Sequence, residues 1–132
     1  KDVIVISNHI NAGGGEGAEV VYALRNNNEL SDLVLEEIGK EGQVLRKAYQ
    51  RRLPSNTSKD YYFIHRNTGI TEPIIVEYGF LDTEADANRL KNNYERYAEA
   101  VVRAVSEYIG LPSTQNTYTV KKGYTLFMGN NE

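Results

Sequence analysis

The chain has no cysteine, only two histidines, no surplus of positive charge and no long apolar run. Each shortage removes a class of protein. Without cysteine there is neither a disulfide framework nor a thiolate–zinc site. That suits a secreted bacterial protein, and many cytosolic ones as well. A net charge of −3 gives no electrostatic ground for nucleic acid or an anionic membrane as partner. No apolar stretch approaches the roughly 18 residues of a spanning helix, so membrane insertion is not expected. What remains is ordinary for a globular domain: 40% hydrophobic and 25% charged residues in a chain of 132, enough for one core and too short for two full ones. The chain opens on Lys1 and runs at once into a buried-looking strand, so a fragment or processed product is expected.

The stretch that organises the sequence is Asp2 to Asn11, DVIVISNHIN. Val3 to Ile6 is an unbroken β-branched run, as expected of a strand covered on both faces in a parallel sheet. Ser7, Asn8, His9 and Asn11 then crowd polar groups where that strand runs out. Pro73 to Phe80, PIIVEYGF, repeats the pattern with one carboxylate, Glu77, near its C-terminal end. Open α/β sheets bind ligands outside the carboxyl ends of their strands. If the two strands are parallel neighbours, His9 and Glu77 emerge at one edge. An imidazole beside a carboxylate is the minimum of a metal-hydrolase site.

Between these strands, AGGGEG (Ala12 to Gly17) lacks both the dinucleotide fingerprint and the P-loop pattern and reads as a mobile loop at a site rim. Ala18 to Leu24 reads as a strand with Glu19 at its start. Asn26 to Asn28 supply a turn and cap for a helix over Glu29 to Ile38, which Gly39 and Gly42 end. Gln43 to Ser58 is basic and irregular, with Arg46, Lys47, Arg51 and Arg52. A solvated loop is the ordinary reading, and a rim contacting an anionic substrate the functional one. Lys59 begins the next strand, which runs through DYYFIHR to Arg66 and in which His65 is a packed histidine rather than a ligand. A short helix capped by Asp82 or Thr83, a break at Asn92 and Asn93, and a longer helix to Ile109 complete the pass, with Gly110 and Pro112 as stops. The fold expected is α/β, three-layer, with a mostly parallel twisted sheet flanked by helices.

SNHINAGGG, GAEVVYAL and IIVEYGFLD, in this order and spacing, resemble the second half of a zinc-dependent N-acetylmuramoyl-L-alanine amidase domain, over about Asp2 to Leu111. TYTVKKGYTLF resembles the opening of a LysM glycan-binding repeat, with Tyr124 where that pattern usually has Asp. The domain plan is therefore residues 1–111 as the C-terminal portion of the amidase domain, 112–117 as linker and 118–132 as a truncated LysM-like start.

The resemblance implies a bacterial or phage-encoded peptidoglycan hydrolase, an autolysin or endolysin, acting outside the cell at the wall. It implies Zn2+ as cofactor, with His9 as one metal ligand and Glu77 as catalytic acid/base. The bond cut joins the lactyl group of N-acetylmuramic acid to the L-alanine of the stem peptide. Asn11, Glu19 and Arg66 fall in family-typical motifs near the cleft. The family's first zinc histidine, in a DPGHGG-like segment, and its glutamate ligand have no counterpart here. The alternative function is accordingly a non-catalytic glycan-binding wall module or an inactive amidase remnant. An open sheet edge beside Val3 to Ile6 is expected to invite self-association.

Overall fold

The computed structural model describes residues 3–111 and, in backbone, residues 125–129. Five strands form one sheet. They are β1 (Val3–Asn11), β2 (Ala18–Tyr22), β3 (Leu45–Tyr49), β6 (Glu72–Phe80) and β7 (Thr125–Gly129), in the order β3-β2-β6-β1-β7. β1 runs parallel to both β6 and β7, and β2 parallel to β3, while β2 and β6 are antiparallel. The mostly parallel α/β sheet expected from the sequence is the one observed. Among the described residues, no helix is long and apolar enough to cross a membrane.

Alternation along the strands assigns each residue to a layer. Ile4, Ile6, Val20, Ile74 and Val76 face two helices, α1 (Glu29–Lys40) and α3 (Glu84–Ile109). These helices present Leu30, Val34 and Ile38, and Leu90, Tyr97, Val101 and Val105, at helical spacing. Each such side chain, fully buried, contributes about 1.5–3 kcal/mol of hydrophobic transfer. Arg103 ties the helices together, donating to Glu37 at 3.0 Å and Glu41 at 2.9 Å. The opposite face carries Val5, Val21 and Ile75, packed with Ile64 of a short helix α2 (Phe63–Arg66). A two-stranded hairpin, β4 (Arg52–Leu53) and β5 (Asn56–Asp60), leads into that helix.

Several expectations are corrected here. Gln43 to Ser58 is not irregular: it holds β3, β4 and most of β5. β3 lies at the sheet edge, where its cations discourage pairing with another chain. The strand expected from Lys59 to Arg66 stops at Asp60, because the chain turns at Tyr62 into α2. α3 continues through Asn92 and Asn93 without a break. Asn93 donates its side-chain amide to Arg89 O at 3.0 Å, which satisfies within the helix the group that would otherwise compete with it. α3 ends at Gly110, whose φ of 76° supplies the left-handed cap.

The glycine loop is held rather than mobile. The Asp82 carboxylate accepts from the N–H of Gly13 at 2.9 Å and of Gly14 at 3.1 Å. Thr83 Oγ1 donates to Gly15 O at 2.5 Å, and Glu16 pairs with Arg89. Gly17, at φ 107°, brings its Cα so close to Val44 O that an added Cβ would sit 2.7 Å away. Finally, the edge of β1 expected to lie open pairs with β7, Val3 against Thr125 through Ser7 against Gly129. The linker at 112–117 and the rest of the LysM-like stretch lie outside the described residues.

Candidate active site

Register decides the site. His9 of β1 lies directly beside Glu77 of β6, and Glu77 lies directly opposite Glu19 of β2. In-register residues on adjacent strands share a face, and strands are spaced about 4.8 Å apart. An imidazole and two carboxylates thus stand abreast across three strands, on the face away from α1 and α3. His9, Glu77 and Ile75 form the floor of a cavity of about 450 Å³. Leu53, Tyr61, Tyr62, Phe63 and Arg66, from the hairpin and α2, line its wall.

Two carboxylates directly opposite one another repel, and the surroundings resolve the conflict asymmetrically. Glu19, 6% exposed, accepts from Asn11 Nδ2 at 3.0 Å, Arg46 Nε at 3.0 Å and Tyr49 OH at 3.2 Å. Its charge is therefore neutralised by a guanidinium and held by neutral donors. Glu77 has no such help. Its Oε2 is buried and meets no hydrogen-bond partner among the described residues. Burial, reinforced by the charge of Glu19, pushes its pKa up to about 7. One carboxylate is fixed and paired, and its neighbour is poised to exchange a proton near neutrality.

His9 Nε2 lies 3.0 Å from Ser7 Oγ, two residues back on the same strand face. On the other face, Asn8 Oδ1 accepts from Tyr78 OH at 2.7 Å, joining β1 to β6 beyond the active layer. His65 is fully buried, and its ring stands edge-on to Tyr62 with centroids 5.8 Å apart. Burial lowers its pKa to about 4, against the opposing influence of Asp60. Arg66 Nη1 donates to the carbonyls of Asp60 at 3.0 Å and Tyr61 at 2.7 Å.

Asp86 holds the frame. Entirely buried on the first turn of α3, it accepts from Gly17 N–H at 2.7 Å and Phe80 N–H at 2.8 Å, and pairs with Arg89 at 2.7 Å. One carboxylate therefore joins the entry of β2, the exit of β6 and the helix that follows. Sequence reading missed Asp86 and took Asp82 only as a helix cap, because the glycine-loop N–H groups that both accept lie more than 60 positions away. It also missed Arg46 and Tyr49 as partners of Glu19, because β3 showed no strand pattern and the residue in register with Glu19 is Lys47.

A family model described as N-acetylmuramoyl-L-alanine amidase matches residues 1–107. The chain belongs to this family. No curated protein matches it. Among solved structures, it is similar to Cwp6 from Clostridium difficile at 23% identity and TM-score 0.71, covering 79% of this chain and 17% of that one. It is similar also to the catalytic domain of the CD27L endolysin, which targets C. difficile, at 24% identity and TM-score 0.59, covering 79% of this chain and 54% of that domain. AmiC2 amidase of Nostoc punctiforme matches at 21% identity and TM-score 0.62, covering 81% of this chain and 58% of that one. At these identities the structures establish the shared fold. The chain spans between 17% and 58% of the length of these three amidase-fold relatives.

The zinc expected from the amidase resemblance finds too few ligands here. Among the described residues, no three His, Cys, Asp or Glu side chains are grouped to hold a metal ion. Glu19 stands in the right row but is committed to Arg46, Asn11 and Tyr49. The residues present do not by themselves fit a zinc centre, which needs three or four protein ligands.

Proposed function

We propose that this chain contributes the acid/base half of a peptidoglycan amidase site, which cleaves the amide between N-acetylmuramic acid and the L-alanine of the stem peptide. The single observation that carries the reading is Glu77: a half-buried carboxylate, one oxygen of which has no hydrogen-bond partner among the described residues, beside His9 at the floor of a cavity. A general base for amide hydrolysis works best with a pKa near the operating pH, and burial gives Glu77 that value. In its ionised form Glu77 removes a proton from the attacking water. In its protonated form it returns that proton to the departing alanine nitrogen. Glu19 acts through Glu77 as a positioning charge, and Asn11, Arg46 and Tyr49 act through Glu19.

In this proposal His9 is one ligand of a zinc ion whose other ligands come from beyond residues 3–111. Peptidoglycan is then the partner, and the bacterial cell wall the place of action, whether the enzyme is host- or phage-encoded. The chain alone should bind zinc weakly. Zinc titration of the purified chain, with cell walls digested in parallel, tests this. A catalytic domain containing the chain should release new L-alanine amino termini and free lactyl carboxylates. Release of reducing sugars, or of amino groups from any other residue, contradicts the assignment.

A second reading, a wall-binding module without catalysis, shares the same cavity of His9, aromatic residues and Arg66. It predicts that the chain cosediments with cell walls and that no domain containing it releases alanine amino groups.

A further inference from the structure

Two cations, one in the wall of the cavity and one stacked beside it, carry charge that no acid among the described residues offsets. Arg46, Arg89, Arg103 and Lys40 each lie within 4.0 Å of a carboxylate. Arg51 and Arg66 are exposed, and among the described residues neither pairs with an acid. They bracket one residue. The Arg51 guanidinium lies 3.8 Å from the centre of the Tyr61 ring, and Arg66 donates to the Tyr61 carbonyl at 2.7 Å. Arg51 Nη1 also donates to Tyr62 OH at 3.3 Å. These contacts stiffen both side chains while leaving N–H donors available: the bonds of Arg66 to protein engage Nη1 alone. Arg66, Tyr61 and Tyr62 line the same cavity as His9 and Glu77.

We propose that Arg51 and Arg66 form a carboxylate-reading subsite at the mouth of the His9–Glu77 cavity, and that its ligand is a free carboxylate on the stem peptide close to the scissile amide. The proposal rests on the amidase reading and adds the substrate's chemical form. Guanidinium forks suit carboxylates because planar groups pair bidentately. Stacking on Tyr61 also holds Arg51 in place before the ligand arrives, so less rotamer freedom is lost on binding. An aromatic wall with Arg66 in it and Arg51 stacked on Tyr61, neither paired with an acid among the described residues, does not favour an uncharged amide at the same position. The enzyme therefore discriminates stems with a free carboxylate from stems that are amidated there.

The test uses the purified full chain and two probes, the γ-methylamides of N-acetylmuramoyl-L-alanyl-D-glutamate and of its D-isoglutamine counterpart, which differ only in the α-carboxylate, by calorimetric titration at low salt. A charge-assisted contact is worth on the order of tenfold to a hundredfold in affinity. The acid should bind at least about tenfold tighter than the amide by that measure, and the preference should shrink in high salt. Arg66→Gln should erase most of it. Because Arg66 also holds two backbone carbonyls, Arg51→Gln provides the variant whose loss touches no backbone contact. Equal binding of acid and amide by the unaltered chain, or a preference unchanged in Arg51→Gln and a folded Arg66→Gln, overturns the subsite and leaves the amidase reading intact. Failure to bind either probe overturns the subsite, while the amidase reading stands or falls on alanine release by the catalytic domain.

Discussion

Replacing Asp86 by alanine should be among the most destabilising single changes available in this chain. The carboxylate is fully buried and accepts two backbone N–H groups, from Gly17 and Phe80, through the same oxygen, while its other oxygen faces Arg89. Burial alone would raise its pKa, but the bonds from Gly17, Arg89 and Phe80 outweigh burial and hold it below the ordinary value. Hydrogen bonds to a charged group contribute about 1.5–3 kcal/mol each, and buried donors left without an acceptor add a desolvation cost. Arg89 is a partly exposed partner and recovers some interaction through Glu16. A loss of about 4 kcal/mol for Asp86→Ala is therefore expected, a large share of the roughly 5–15 kcal/mol that holds a domain together. Asp86→Asn is the informative control. Its amide oxygen can still accept both backbone N–H groups, while the amide nitrogen, a donor, replaces the oxygen that faced Arg89, so a smaller loss of about 1.5–3 kcal/mol is expected. Urea unfolding of the three proteins, with slopes of about 1–3 kcal/mol per molar, resolves these differences. If alanine and asparagine cost the same, or alanine costs less than about 1 kcal/mol, the clamp does not hold the frame as argued.

Three further outcomes are expected. The folded-state pKa of His65 lies near 4, below its unfolded value of 6.5, so the unfolded chain binds the extra proton and stability falls as pH drops through that window. At 1.36 kcal/mol per unit the loss reaches about 3 kcal/mol, and it should vanish from pH-dependent unfolding curves of a folded His65→Leu chain. Glu19→Gln should lower the pKa of Glu77 from about 7, while burial keeps it above 4.5; carbon-detected titration of the Glu77 carboxyl measures the shift. If that pKa stays put or rises, the neighbouring charge is not a cause. For stability the sign at Glu77 is opposite to that of His65. A raised carboxylate pKa costs stability as pH rises through about 7, so Glu77→Gln should gain stability at pH 8 relative to pH 5 in thermal melts.

How much of this was readable in the sequence follows from where each signal resides. β1, β2 and β6 announced themselves as short, nearly continuous apolar runs and α1 by apolar residues at helical spacing. The parallel placement of His9 beside Glu77 followed from two strands sharing the same run-then-polar-end pattern. β3 was hidden because Leu45, Arg46 and Lys47 are exposed at the sheet edge, so no alternation marks the strand. α2 was hidden by the aromatic and β-branched composition of Tyr61 to Ile64, whose preference for strand is overridden by packing Ile64 onto Val5 and Ile75. Asn92 and Asn93 suggested a break because asparagine is a weak helix former. In a helix anchored by seven or more turns of packing, that preference decides nothing. The clamps of Asp82 and Asp86 on the glycine loop join distant positions, which no local pattern encodes. The site itself was half legible: residue types and strand ends pointed to His9 and Glu77, while the network around Glu19 required the register of β2 and β3.

The most direct test of the central claim, that Glu77 serves amide hydrolysis as acid and base, is the rate of L-alanine amino-group release from purified cell walls. The comparison is between an unaltered catalytic domain containing this chain and its Glu77→Gln counterpart, with folding and zinc content measured on the same samples. The account predicts a loss of about 10²- to 10⁴-fold in rate, with fold and metal retained. Turnover within a few-fold of the unaltered domain would contradict it and place the proton-transferring group elsewhere.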